Sequence, residues 1–146
     1  MMKPNSLREA LTAAVPDLAR NPEKLHVFVD EGRLVATGAR TLSFEYRYTL
    51  TLIVTDFAAG SDAIMVPVLA WLRVNQPELF FSPTQREDGV RFEVDILNHT
   101  TVDLALKLPL TERVTVRVAG TGYHVEHHPE PVNEDDDPST WRPAAP

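Results

Sequence analysis

The sequence contains no cysteine, only six glycines among its 146 residues, and no long membrane-spanning apolar run. The absence of cysteine excludes a disulfide framework, a thiolate metal site and a cysteine nucleophile. The longest mainly apolar run, residues 63–72, is shorter than the roughly 20 residues that cross a bilayer. Residues 1–15 lack the apolar core of a secretory signal, so we expect the protein to be made and kept in the cytoplasm unless a particle carries it out.

The common enzyme motifs are also missing. The chain has no Gly-x-Ser-x-Gly elbow, no phosphate-binding loop and no His-Glu-x-x-His. His124, His127 and His128 lie beside Glu126 and resemble part of a zinc site, but structural zinc usually needs four fixed ligands, mostly including cysteine. We therefore predict a protein that is not an enzyme, with no catalytic residue, no cofactor and no metal.

The sequence also lacks a basic stripe. The net charge is -7, of which residues 127–146 carry -4, from five acids and one base, and the remainder carries -3. Sequence-independent binding to nucleic acid is therefore not expected, since a mildly acidic surface repels it. Residues 127–146 also contain five prolines, so we predict an acidic, flexible tail beyond a single domain at residues 1–126.

The strongest pattern in the sequence is an alternation between residues 42 and 54. The apolar members all occupy even positions: Leu42, Phe44, Tyr46, Tyr48, Leu50, Leu52 and Val54. Mostly polar residues separate them, which is typical of a long strand with one buried face. Shorter alternating segments at 90–96, 102–108 and 114–118 predict three more strands, with a turn at Pro109-Leu110, and a short strand follows at 123–125.

The remaining segments predict two main helices and a hairpin. Residues 6–15 have helical spacing with a cap at Asn5 or Ser6, and Pro16 should end or kink this helix. Residues 25–30 read as a strand that turns at Glu31-Gly32 into a partner at 33–37. Residues 62–76 are apolar nearly all round, so the helix either begins near Pro67 or begins at Asp62 and is kinked. Residues 79–89 are predicted to be a loop.

These elements indicate an α+β fold. Clean alternation favours an antiparallel sheet with one face in solvent, and helices on the other face complete an α+β sandwich. We expect about five to six strands packed with the two main helices.

Six residues are candidates for a protein–protein interface. Glu45, Arg47 and Thr49 lie on the polar face of the long strand, which is either a contact surface or an ordinary solvated sheet face. Trp71 and Arg73 have the character of interface residues, and the alternative is that the helix carrying them is an internal core helix; both hold if its opposite faces differ in role. Trp141 in the acidic tail would anchor a docking peptide, or the tail only adds solubility.

Several blocks, in order along the chain, resemble a known family. They are MMKPNSLR (1–8), LHVFVD (25–30), LSFEYRYTL (42–50), IVTDF (53–57), VPVLAWLR (66–73) and LTER (110–113). Together they resemble the tail completion protein R family of P-two-like contractile-tailed phages, over about residues 1–118.

The resemblance implies a structural role late in tail assembly, in the host cytoplasm and then in the virion tail. Such proteins act at the head-proximal end, where tube and sheath growth stops and the capsid joins, and tail terminators are commonly rings of six subunits. The implied partners are further copies of the chain and tail tube, sheath or neck proteins, with no membrane. The alternative is a small regulatory or immunity-type protein-binding module outside the virion, and its absence from purified particles would favour that reading.

Overall fold

The computed structural model describes residues 1–144, and its five strands form one antiparallel sheet. The strands are β1 (Leu25–Ala36), β2 (Phe44–Phe57), β3 (Arg91–Ile96), β4 (Val102–Ala119) and β5 (Gly122–His128). Their order across the sheet is β1-β2-β4-β3, and β5 also pairs with β4. The α+β fold with five to six antiparallel strands is therefore confirmed.

Strand β2 follows the predicted alternation. Leu50, Leu52 and Val54 are fully buried on the face that meets the helices, whereas Leu42 precedes the strand and is exposed. Because β2 pairs with β1 on one side and β4 on the other, it is the centre of the core.

The turn predicted at Pro109-Leu110 is wrong, because β4 runs unbroken for 18 residues. Pro109 lies opposite Thr49 of β2. The N–H of Thr111 donates to the Gln76 side chain and not to a neighbouring strand. Because backbone direction alternates along a strand, the backbone of Pro109 points to the same side as that of Thr111. The missing N–H of Pro109 therefore removes no bond from the sheet.

The turn predicted at Glu31-Gly32 is also wrong. Both halves of β1 pair with β2, and the register shifts between Asp30 and Arg33. Glu31 has a φ of 53°, so this site is a bulge within one strand. The polar residues that suggested a chain reversal instead accommodate an irregularity of pairing.

Five helices accompany the sheet, of which α1 and α3 are the two main ones. They are α1 (Lys3–Ala14), α2 (Pro16–Arg20), α3 (Asp62–Asn75), α4 (Glu78–Phe81) and α5 (Pro83–Asp88). Pro16 separates α1 from α2, as predicted, although α1 begins at Lys3 and not at the expected cap. Helix α3 begins at Asp62 and continues through Pro67, and α4 and α5 replace the loop predicted at 79–89.

The core lies between these helices and one face of the sheet. Leu7 and Leu11 of α1 and Ile64 and Leu72 of α3 are fully buried against that face. Within the described chain, even α1 and α3 have too few residues for a membrane span.

The helices do not extend over β3. Phe92, Val94 and Ile96 lie opposite Leu106, Leu104 and Val102, on the same face as the core. They are nevertheless 60%, 36% and 79% exposed. The apolar face predicted for this strand therefore exists, but nothing in residues 1–144 buries it.

Candidate protein-interaction site

Glu45, Arg47 and Thr49 share the sheet face that turns away from the helices. Arg47 places Nη2 3.1 Å from Oε2 of Glu45 two residues earlier, so the pair closes within one strand. Arg33 of β1 lies opposite Arg47, and Arg113 of β4 lies opposite Glu45. Arg33, Arg47 and Arg113 therefore share this face with Glu45, and a contact of the face with another subunit stays a prediction.

Trp71 is a core residue in the isolated chain. Its ring is 6% exposed, and its Nε1–H donates a 3.0 Å hydrogen bond to Oγ of Ser6. This bond ties α3 to α1. A role for Trp71 in an interface stays a prediction.

The structure brings Arg73 and Trp141 together. The Arg73 guanidinium lies 5.4 Å from the centre of the Trp141 ring and 5.5 Å from that of Phe80. Its Nη2 and Nε donate to both carboxylate oxygens of Asp136, with a shortest distance of 2.8 Å. The indole of Trp141 also donates to Asp136. We call Arg73, Phe80, Asp136 and Trp141 the tail clamp.

The ion pair of the tail clamp shifts the pKa values of both its partners. The Arg73 guanidinium lowers the pKa of the Asp136 carboxyl, and Asp136 in turn raises the pKa of Arg73. A bidentate arginine–carboxylate pair has fixed geometry, and both rings stabilise the cation through their faces. The clamp therefore attaches the acidic segment to the carboxyl end of α3.

A second polar group closes a gap in the sheet. Strands β3 and β5 pair with different parts of the same edge of β4. Between them, no strand of the described part of the chain lies beside residues 108–112. Gln76 fills this gap: its Oε1 accepts from the N–H of Thr111 and from Nζ of Lys3. Lys3 also donates to the carbonyl of Thr111 and lies 3.0 Å from Glu130. We call these four residues the seam.

Glu112 is buried beside the seam. Its side chain accepts a 2.6 Å hydrogen bond from the hydroxyl of Tyr48 and another from the N–H of Met2. Burial, and then the nearby carboxylate, raise the pKa of Tyr48 above its ordinary value. These bonds fix the start of α1 on the sheet.

The histidines near the carboxyl end lie on β5, which extends to His128, past the boundary expected at residue 126. His124, Glu126 and His128 lie opposite Arg117, Thr115 and Arg113, facing away from the helices. No group of three or more candidate ligands is placed to hold a metal ion in residues 1–144.

Sequence reasoning identified Arg73 and Trp141 but missed most of their surroundings. Lys3, Gln76 and Asp136 carry no local signal, because the contacts Lys3–Gln76 and Arg73–Asp136 join residues more than sixty positions apart. Glu112 did carry one: it occupies the inward row of β4, a pattern visible only when Pro109 is not taken as a turn. The single domain at 1–126 and the flexible tail at 127–146 stay predictions.

The chain is similar to known proteins over nearly all of its length. The family model described as P2 phage tail completion protein R (GpR) matches residues 1–131. Tail completion protein R of Escherichia phage P2 is 47% identical over 131 residues, which are 90% of this chain and 84% of that protein. No solved structure matches the chain significantly.

Proposed function

Because this chain belongs to the P2 phage tail completion protein R family, a family of structural tail proteins, we propose that it completes the head-proximal end of a phage tail. There it forms a ring, with six copies as the expected size. The ring ends the growth of tube and sheath and prepares the tail for joining the head. It assembles in the host cytoplasm, and DNA reaches it only as the passing genome.

The observation that carries the proposal is the extent of the match. Residues 1–131 include all five strands and all five helices, so the whole folded body corresponds to the family. Tail components act through contacts with one another, and the surface of this body suits that role. Apolar side chains remain uncovered along β3, and the sheet face that turns away from the helices presents Arg33, Arg47 and Arg113.

The test is an amber mutation in the gene, with a wild-type copy supplied in trans as the control. We expect the mutant to yield heads and unjoined or overgrown tails by negative-stain microscopy, and the complemented strain to yield joined particles. Normal joined particles from the uncomplemented mutant would refute the proposal.

Mass spectrometry of purified particles distinguishes the alternative of a binding module outside the virion. We expect peptides from this chain at a few to a dozen copies per particle. Their absence from intact, infective particles would favour the alternative.

A further inference from the structure

Among residues 1–144, the two outer strands of the sheet, β1 and β3, each have one edge that pairs with no other strand. Arg8 donates to the carbonyl of Leu25, which shows that the backbone of Leu25 points out of the sheet, and alternation gives Val27 and Val29 the same direction. On β4 the N–H of Thr111 points away from β2. By the same alternation, the backbone groups of Lys107 and Ala105 point away from β2 and pair with those of Arg91 and Glu93 on β3.

It follows that the backbone groups of Phe92, Val94 and Ile96 point outward at the opposite edge. Within residues 1–144, no backbone hydrogen bond from another segment reaches the outward groups of Val27, Val29, Phe92, Val94 or Ile96. Free edges of this kind are templates for pairing with another strand.

The directions of the edge strands suit repeated joining. Four strands, β1-β2-β4-β3, cross the sheet, and each is antiparallel to its neighbour. Because four is even, β1 and β3 run in opposite directions. Copies related by rotation about one axis can therefore place β1 of one beside β3 of the next as an antiparallel pair, a contact that repeats until a ring closes.

The side chains at both edges are apolar on the same face. Val27 and Val29 lie opposite Leu52 and Leu50, and so share the core face with Phe92 and Val94. Val29 is 38% exposed and Phe92 is 60% exposed. Joining the edges would continue the buried apolar rows of one subunit into the next.

One register also matches the charges. With Val29 opposite Phe92 and Val27 opposite Val94, Asp30 faces Arg91 and His26 faces Asp95. Shifting the register by two residues in one direction places Asp30 opposite Glu93, which is repulsive. Opposite charges directly across a strand pair are stabilising and like charges are destabilising.

We propose that residues 25–30 of β1 in one copy pair with β3 (Arg91–Ile96) of the next in this register, so that the subunit interface is a shared antiparallel sheet. The inference deepens the proposed function and depends on the ring. The partner is a second copy of the chain, and Asp30–Arg91 is the contact that sets the register.

The first test is a charge exchange in the purified full-length chain, followed by native mass spectrometry and sedimentation. Asp30→Arg and Arg91→Asp should each weaken association roughly five-fold per interface, and the double variant should recover most of it. Glu87→Arg and Arg86→Asp make the same charge changes on exposed residues of α5 and should have no effect. Because Asp30 also accepts from Thr51 of its own chain, thermal unfolding must show that the variants are folded.

The second test is a cross-link, for which the absence of cysteine provides a clean background. Phe28 and Glu93 face each other in the proposed register as a pair without backbone hydrogen bonds, whose close spacing allows a disulfide. Phe28→Cys with Glu93→Cys should give a ladder from dimer to closed ring, in the purified chain and in assembled tails. Phe28→Cys with Gln85→Cys should give no ladder.

The outcomes separate the two proposals. If tails are completed by the double-cysteine chain without any ladder, or if the charge exchange restores nothing, the interface is wrong while the tail-end function stands. If tails are completed normally without the chain at all, the function itself fails.

Discussion

Tyr48 donates a 2.6 Å hydrogen bond to Glu112, and both residues are buried in the sheet. We expect Tyr48→Phe to lower the free energy of unfolding by about 1–3 kcal/mol, because the buried carboxylate loses a partner that water cannot replace. Urea unfolding followed by circular dichroism measures this. Tyr46→Phe is the matched control, since no partner of the Tyr46 hydroxyl is present in residues 1–144. Equal losses in both variants would contradict the account.

The same tyrosine predicts sensitivity to alkaline pH. Because burial raises the pKa of Tyr48, the folded chain favours the neutral phenol, whose ordinary pKa is about 10. The stabilisation is complete below that value and is lost as the pH rises above it. The difference in unfolding free energy between the wild type and Tyr48→Phe should therefore shrink from pH 9 to pH 11. A difference that stays constant over that range would exclude this linkage.

The seam predicts a second loss of stability. Replacing Gln76 with leucine removes the acceptor for the N–H of Thr111 and for the Lys3 ammonium group, both within a largely buried site. We expect the unfolding free energy to fall by roughly 1–3 kcal/mol. Gln85→Leu, on an exposed position of α5, makes the same chemical change and should stay within about 0.5 kcal/mol of the wild type. Denaturant midpoints at equal slope provide the comparison.

The tail clamp predicts how the acidic segment is released. Asp136→Asn removes the charge that Arg73 binds, so Trp141 should become more accessible to acrylamide quenching at pH 7. Trp71 is buried and contributes a constant background. Asp135→Asn changes the net charge equally without touching Arg73, and should quench like the wild type.

Acid should reproduce the Asp136→Asn effect in the wild type. The pKa of Asp136 is below the ordinary value of 3.8, so the contact is complete above that pH and is lost as the pH falls through the lower folded value. Quenching in the wild type should therefore rise only below about pH 4. Release at neutral pH in the wild type would show that the clamp does not hold the segment.

Local alternation predicted the centre of the fold well, because β2 is flanked by strands on both sides and covered by helices on one face. Its buried row reads directly from the sequence at Leu50, Leu52 and Val54. The sequence failed at Pro109 and at Glu31, where residues typical of turns occur inside continuous strands. Pro109 costs the sheet no hydrogen bond, because the side of β4 to which its missing N–H would point has no strand beside it within residues 1–144. The positive φ of Glu31 is accommodated because the residue lies in a bulge.

The candidate site was predictable only in part. Arg73 and Trp141 were recognisable as residue types that favour interfaces, but the contact between them joins α3 to a proline-rich segment far along the chain. No periodicity links such distant segments. The uncovered face of β3 was likewise hidden, because alternation shows that a strand has an apolar face and does not show whether a helix reaches it.

Strand β4 pairs with three other strands, and this has a consequence for how the body comes apart. Within residues 1–144, β3 and β5 pair only with β4, so loss of β4 would leave both without a partner strand and would uncover one side of β2. A backbone nick in the loop at residues 97–101 leaves every pairing of β4 intact, whereas one at Leu108 would cut β4 between the part that pairs with β3 and the part that pairs with β5. We therefore expect a chain nicked at residues 97–101 to keep its sheet and a chain nicked at Leu108 to lose the continuity of β4.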